Sequence, residues 1–257
     1  NLTDLEGGHI FDILVDRRQR YLFEYFNSYP LKVRKRVEYV TTDMYKPYID
    51  LAKKVFPNAN IVVDKFHIVQ LLTRELNKLR INEMKKLNTR SREYKILKRY
   101  WKIPLTRKRD LNSIYFYKNR HFKNMTSSID ILDYMLKEFT NLKEAYDFYQ
   151  NFLLSISKND VTMLEDILNT RTDEIPMCFR KSIKSLKKLR KYVLNSLKYD
   201  YTNAMVEGKN NKIKVIKRVS YGYRSFRNFK ARIMLMERYK IQKGNIHSYQ
   251  FAMDAAA

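Results

Sequence analysis

Apolar residues change their spacing along this chain, and the changes separate a strand-and-helix part from a helical part and a strongly basic end. Asn1 to Leu5, then Glu6-Gly7-Gly8, then His9 to Val15 read as strand end, tight turn and strand, an N-terminal β-hairpin. Arg20 to Phe26 has apolar residues at helical spacing and stops before Pro30, so a short helix follows. Val37 to Thr42 is β-branched and aromatic and ends on Asp43, which predicts a strand. Pro47 suits the first turn of a helix from Tyr48 to Val55 that closes at Phe56-Pro57. Ile61-Val62-Val63 then reads as a short buried strand stopped by Asp64, with His67 three residues on. Hairpin, helix, strand, helix, strand is an α/β order.

From Ile68 the strand signal disappears. Residues 68 to about 100 read as charged helix with Leu71, Leu72, Leu76 and Leu79 in an apolar stripe. Ser127 to Asp130 resembles an acidic capping box, and from Ile129 through Leu132, Leu136, Phe139, Leu142, Tyr146 and Tyr149 to Leu153 one apolar face predicts a single long amphipathic helix. Asp160 to Leu168 and Phe179 to Leu197 predict two more. Residues 68–197 are therefore expected to form an all-helical insertion. Trp101, beside Tyr100 and Lys102, reads as a core anchor between helices, with stacking on an unpaired base as the alternative.

Charge changes the picture most. The 257 residues hold 52 Lys and Arg against 27 Asp and Glu, a net charge of +25, with a pI near 9.9, so the expected partner is a polyanion, nucleic acid first. Arg180 to Lys243 is the most polarised stretch, with 20 Lys and Arg against Asp200, Glu207 and Glu237. Its Tyr221 to Lys230 interleaves rings with cations, the composition of a nucleic-acid groove. Phe226, Phe229, Ile233 and Met236 read equally well as the core stripe of a last helix. Cys178 stands alone, which excludes a disulfide framework and a thiolate metal cluster. No run nears the roughly 18 apolar residues of a membrane span, and no signal sequence opens the chain, so a cytosolic place is expected. The chain starts on Asn1 with Leu2 already in a strand, which suggests further residues upstream, and Asp254 to Ala257 reads as a frayed end.

Three features can carry chemistry: Asp43 at one strand end, Asp64 with His67 at the next, and Glu207 in a helix otherwise full of cations. At helical spacing Asn203, Glu207, Asn210 or Asn211, and Lys214 share a face. Each has a plainer reading. Asp43 suits a helix N-cap, His67 a structural or DNA-contacting role, and Glu207 an offset to like charge. Phosphodiester chemistry needs hard oxygen ligands that bring Mg²⁺ to the attacking and leaving oxygens, and Asp43 and Glu207 are of that type.

Thr42 to Ile49, Phe56 to His67, and Thr202-Asn203 through Glu207 to Lys214, in this order, resemble the DDE transposases of the ISL-three insertion-sequence family. The resemblance spans essentially the whole chain. It implies an α/β fold, with an RNase H-like core over 1–67 and 198–245 interrupted by the helical insertion of 68–197. It implies Mg²⁺-dependent (or Mn²⁺-dependent) cleavage and transfer of DNA strands at insertion-sequence ends, in a bacterial, nucleoid-associated protein that is a homodimer on double-stranded DNA. Asp43 matches the second catalytic Asp and Glu207 the catalytic Glu, both as metal ligands. Asp64 and His67 match an accessory Asp-x-x-His pair. Lys209, Lys212, Lys214, Lys217, Arg218, Arg224 and Arg227 would contact DNA. A first catalytic Asp is expected on a strand before the opening hairpin. The alternative reading is a non-catalytic DNA-binding remnant or regulator derived from a transposase.

Overall fold

The computed structural model describes residues 2–4 and 7–238. Asn1, Leu5 and Glu6 of the expected hairpin, residues 239–245 of the expected core and the expected frayed end at Asp254 to Ala257 lie outside the described residues. In chain order the elements are β1 (Leu2–Thr3), β2 (Ile10–Asp12), α1 (Gln19–Asn27), α2 (Leu31–Arg34), β3 (Tyr39–Thr42), α3 (Lys46–Val55), β4 (Asn60–Val63), α4 (Lys65–Lys85) and α5 (Arg92–Arg99). Two 3₁₀ turns follow, Ile103–Leu105 and Lys108–Asp110. Then come β5 (Tyr117–Lys118), β6 (Met125–Thr126), α6 (Ser128–Glu138), α7 (Thr140–Ser157), α8 (Val161–Asn169), α9 (Met177–Lys188), α10 (Arg190–Lys198), α11 (Ala204–Val219) and α12 (Phe226–Arg238). Helix dominates. Among the described residues the strands form three separate two-stranded sheets, β1 with β2, β3 with β4 and β5 with β6, and the last lies within the stretch 68–197 that was expected to be all helix.

The chain divides into two compact units. The first comprises Asn1–Glu38, Lys46–Ala59 and Tyr201–Ala257. Its antiparallel β1–β2 hairpin turns where Asp4 Oδ2 accepts the Gly7 N–H at 2.8 Å and Gly8 takes φ +67°, a conformation that suits glycine. Ile10 and Ile13 from the hairpin bury against Ile216 of α11 and Ile233 of α12, with Ile213, Phe229 and Met234 around them. Of the expected stripe, Ile233 is a core residue and Phe229 packs partly buried against it, whereas Phe226 and Met236 are exposed. Asp12 ties this core together. Its carboxylate accepts the Tyr25 hydroxyl at 2.6 Å and the Ile13 N–H at 2.6 Å, and pairs with Lys230 of α12.

The second unit comprises Tyr39–Tyr45 and Asn60–Asp200. β3 and β4 run parallel, with Thr42 opposite Val63. Val62 and Val63 are wholly buried, which fits the continuous apolar run of a strand covered on both faces. Ile68, Leu72 and Leu76, at i, i+4 and i+8, form the fully buried stripe of α4. Ile96 and Leu97 of α5, Leu132 and Met135 of α6, Tyr149 and Phe152 of α7 and Phe179 of α9 complete this core. The capping box is present as expected: Ser127 Oγ accepts the Asp130 N–H at 3.2 Å and Asp130 Oδ2 accepts the Ser127 N–H at 2.8 Å.

Two expected helices are each a pair. The long helix breaks at Phe139 (φ −125°, ψ 89°), which separates α6 from α7 and lets the two pack on each other rather than extend as one rod. The helix over 179–197 breaks at Leu189 (φ −108°, ψ 17°) into α9 and α10. In both cases the apolar stripe carries through the break, so its period does not reveal it. Trp101 differs from expectation as well. It is 41% exposed with the Lys102 ammonium 5.5 Å from its ring centre, so it is not a core anchor.

Candidate active site

The C-terminal end of the β3–β4 pair gathers three of the candidate residues, all within the second unit. The ladder continues one step past the strands, where the Asp64 N–H donates to the Thr42 carbonyl at 3.1 Å. Thr42 pairs with Val63, so Asp43 and Asp64 are the next residue on each strand and leave the sheet side by side, about 4.8 Å apart in backbone. Two parallel strands, β4 buried and β3 largely half-buried, both end on an acid and so bring two carboxylates to one edge.

Each carboxylate holds its own backbone. Asp43 is half-buried, and its Oδ1 accepts the Tyr45 N–H at 3.1 Å, shaping the turn that precedes α3. Asp64 is 4% exposed and is the N-cap of α4, with Oδ1 accepting the Phe66 N–H at 3.1 Å. Asp43, weighed as a helix N-cap, holds a turn three residues before the start of α3, while Asp64 caps α4, a 21-residue helix. The positive end of that helix favours anionic groups at this edge. His67 is half-buried one turn on, with its N–H donating to the Asp64 carbonyl at 3.1 Å and its ring edge-on to Phe66 at 5.6 Å. A carboxylate oxygen of Asp64 and a ring nitrogen of His67 lie within 4.8 Å of each other, close enough to share a cation. Since one oxygen of each Asp serves the backbone, the other is available as a hard ligand.

Glu207 belongs to the other unit. It is exposed in the first turn of α11, where a carboxylate offsets the exposed N–H groups of the helix start, and its own N–H donates to the Asn203 carbonyl at 2.9 Å. The expected DNA-contacting cations divide into two groups. Lys209 and Lys212 both reach Glu237 of α12, whose side chain is only 5% exposed, with Lys212 Nζ at 3.3 Å from its Oε2. Lys214, Lys217, Arg218, Arg224 and Arg227 are exposed. Between them Tyr221 is fully exposed and takes φ +51°, and with Gly222 at φ +101° it closes α11 in a left-handed turn in which the Gly222 N–H donates to the Lys217 carbonyl at 3.2 Å. The role of Glu237 had no signal in local sequence, because its partners stand a helix away.

The model of a family described as transposase, of the ISL-three DDE type, matches residues 1–233. A protein of Lactococcus lactis subsp. lactis named as an ATP-dependent protease is 37% identical over 121 residues, which is 47% of this chain. The chain spans 38% of that relative's length. No solved structure matches.

Proposed function

Because the chain belongs to the DDE transposases of the ISL-three insertion-sequence family, we propose that it carries the catalytic domain that cuts DNA at insertion-sequence ends and transfers the cut strands. The observation that most supports this reading is the pair of carboxylates, Asp43 and Asp64, ending neighbouring parallel strands. In α/β proteins the C-terminal edge of parallel strands is where ligands and chemistry are found. The proposed core is RNase H-like over 1–67 and 198–245, with 68–197 inserted.

The donor set fits a hard divalent cation, Mg²⁺ or Mn²⁺: the carboxylates are oxygen ligands, and Asp43 and Asp64 each keep an oxygen beyond the one bound to backbone. Asp43 and Glu207 are the assigned ligands, together with a first Asp on a strand expected upstream. When bound, the ion stabilises charge on the attacking and leaving oxygens of an in-line displacement. Asp64 and His67 support the edge, Asp64 by fixing the start of α4 and His67 by offering a nitrogen beside it. The exposed Lys214, Lys217, Arg218, Arg224 and Arg227 hold phosphates of double-stranded DNA, with Lys209 and Lys212 in a lesser part, and two copies act together on it. The protease name of the Lactococcus protein does not carry over. None of the five glycines, at 7, 8, 208, 222 and 244, stands in a phosphate-cradling G-x-x-x-x-G-K pattern.

The test is nicking of insertion-end DNA in Mg²⁺ against EDTA, with the chain as it stands and extended upstream through the expected first strand. Asp43→Ala and Glu207→Ala should each abolish nicking while duplex binding persists. Normal nicking by both variants refutes the assignment. Binding without nicking by the extended parent would favour the non-catalytic regulator instead.

A further inference from the structure

Between α5 and α6 the second unit carries a short ribbon, β5 paired with β6 at two positions, Tyr117 with Thr126 and Lys118 with Met125. Asn112 builds its base. Its Oδ1 accepts the N–H groups of Ile114 and Tyr115 at 3.1 and 2.9 Å, and its Nδ2 donates to the Tyr115 carbonyl at 2.7 Å. Beyond Ser113 the apolar side chains are exposed: Ile114 77%, Tyr115 70%, Phe116 51% and Tyr117 48%, the last with its hydroxyl accepting from Asn112 Nδ2, with Met125 at 59% on the partner strand. Thr126, opposite Tyr117, is the ribbon residue that is buried, whereas Tyr115 and Phe116, just before β5, are not.

The turn of the ribbon, by contrast, is fixed to α5. Arg92 donates to the His121 carbonyl at 2.6 Å and lays its guanidinium over the Phe122 and Tyr134 rings, at 5.1 and 4.7 Å. The Tyr100 hydroxyl donates to Asn119 at 3.1 Å. This seating brings cations together. Partial burial and then the positive charges of Arg99, Arg120, Lys95 and Arg92 hold the His121 imidazole below its ordinary pKa. Residues 90–125 carry 12 Lys and Arg against Glu93 and Asp110.

From this juxtaposition we infer that the β5–β6 ribbon and α5 form a second nucleic-acid surface, which takes a DNA strand with unpaired bases. Tyr115 and Phe116 stack on the bases, and Arg120, Lys95 and Arg99 hold the phosphates. The surface uses neither Asp43 nor Glu207 and does not depend on their role. Charge selects the occupant: a second copy of the same ribbon would bring like charge to like charge, whereas a polyanion is complementary. The rings select the form, since bases stacked in an intact duplex offer no free face to a side chain.

The experiment is fluorescence anisotropy of the full chain with labelled oligothymidine and with a duplex of equal length. Tyr115→Ala/Phe116→Ala should weaken single-strand binding by about tenfold or more and leave duplex binding within about twofold, while Tyr115→Trp/Phe116→Trp keeps the parent affinity. Arg120→Ser should lower the salt dependence by about one unit of slope. Circular dichroism of each variant checks that the fold is kept. The inference fails if the double alanine variant binds oligothymidine like the parent, or weakens single strand and duplex equally. It also fails if that variant abolishes self-association while oligothymidine binding is unchanged, the result expected of a contact between copies.

Discussion

Replacing Asn195 by alanine should destabilise the second unit by about 2 kcal/mol, although the residue has no part in the proposed chemistry. In the parallel pair, the Asp64 N–H bonds Thr42, so the even-numbered residues of β4 turn their peptide groups toward β3. Ile61 therefore turns its carbonyl toward the other edge, where no strand continues the sheet among the described residues. Asn195 of α10, 7% exposed, donates its Nδ2 N–H to that carbonyl at 2.9 Å. Alanine removes a bond worth about 1 kcal/mol and leaves a buried carbonyl unpaired, a loss of about 1–3 kcal/mol in all. For a unit of this size that corresponds to a fall in Tm of roughly 4–8 °C and a urea midpoint lower by about 1 M. Asn195→Asp should cost more, since a carboxylate oxygen would face the carbonyl. Thermal and urea unfolding followed by far-UV circular dichroism measure all three proteins. An Asn195→Ala midpoint equal to the parent's, or an aspartate variant more stable than the alanine one, would refute the claim that this side chain closes the open edge of β4.

Two further outcomes follow from the first unit. Burial acts to raise the pKa of Asp12, but Lys230, Tyr25 and the Ile13 N–H outweigh it and hold the carboxyl below its ordinary value. A carboxylate lowered on folding adds stability above its unfolded pKa of about 3.9 and loses it as pH falls toward the folded value. The stability gap between the parent and Asp12→Asn should therefore be full at pH 6 and shrink by pH 3, as read from urea midpoints; a constant gap would contradict it. On α11, Lys214→Ala should weaken duplex binding and lower its salt slope by about one, whereas Lys209→Ala, whose ammonium is held by Glu237, should leave the slope nearly unchanged. Equal slopes for the two variants, from anisotropy titrations in increasing salt, would count against that division.

The strand ends were legible because a run of β-branched residues that stops on an acid leaves little choice: Thr41-Thr42-Asp43 and Val62-Val63-Asp64 both became parallel strands with carboxylates at one edge. The Ser127–Asp130 box was equally local, set by side chains three residues apart. What sequence concealed was tertiary. Breaks at Phe139 and Leu189 keep the helical phase, so only packing decides them. The β5–β6 ribbon is two residues per strand, too short for an alternating pattern, and the exposure of its rings is decided by packing. The engagement of Lys209 with Glu237 joins residues on two helices, and nothing in either local stretch announces it.

Asp64 has two employers. As the cap of α4 it is needed by any copy of this chain that folds, whether or not that copy still cuts DNA. In the proposed function Asp43 and Glu207 serve the chemistry, although Asp43 also holds the turn before α3. Among silent descendants of such an element, drift should therefore erase Asp43 and Glu207 early and Asp64 late, so the order in which the acids disappear would date the end of movement separately from the end of folding.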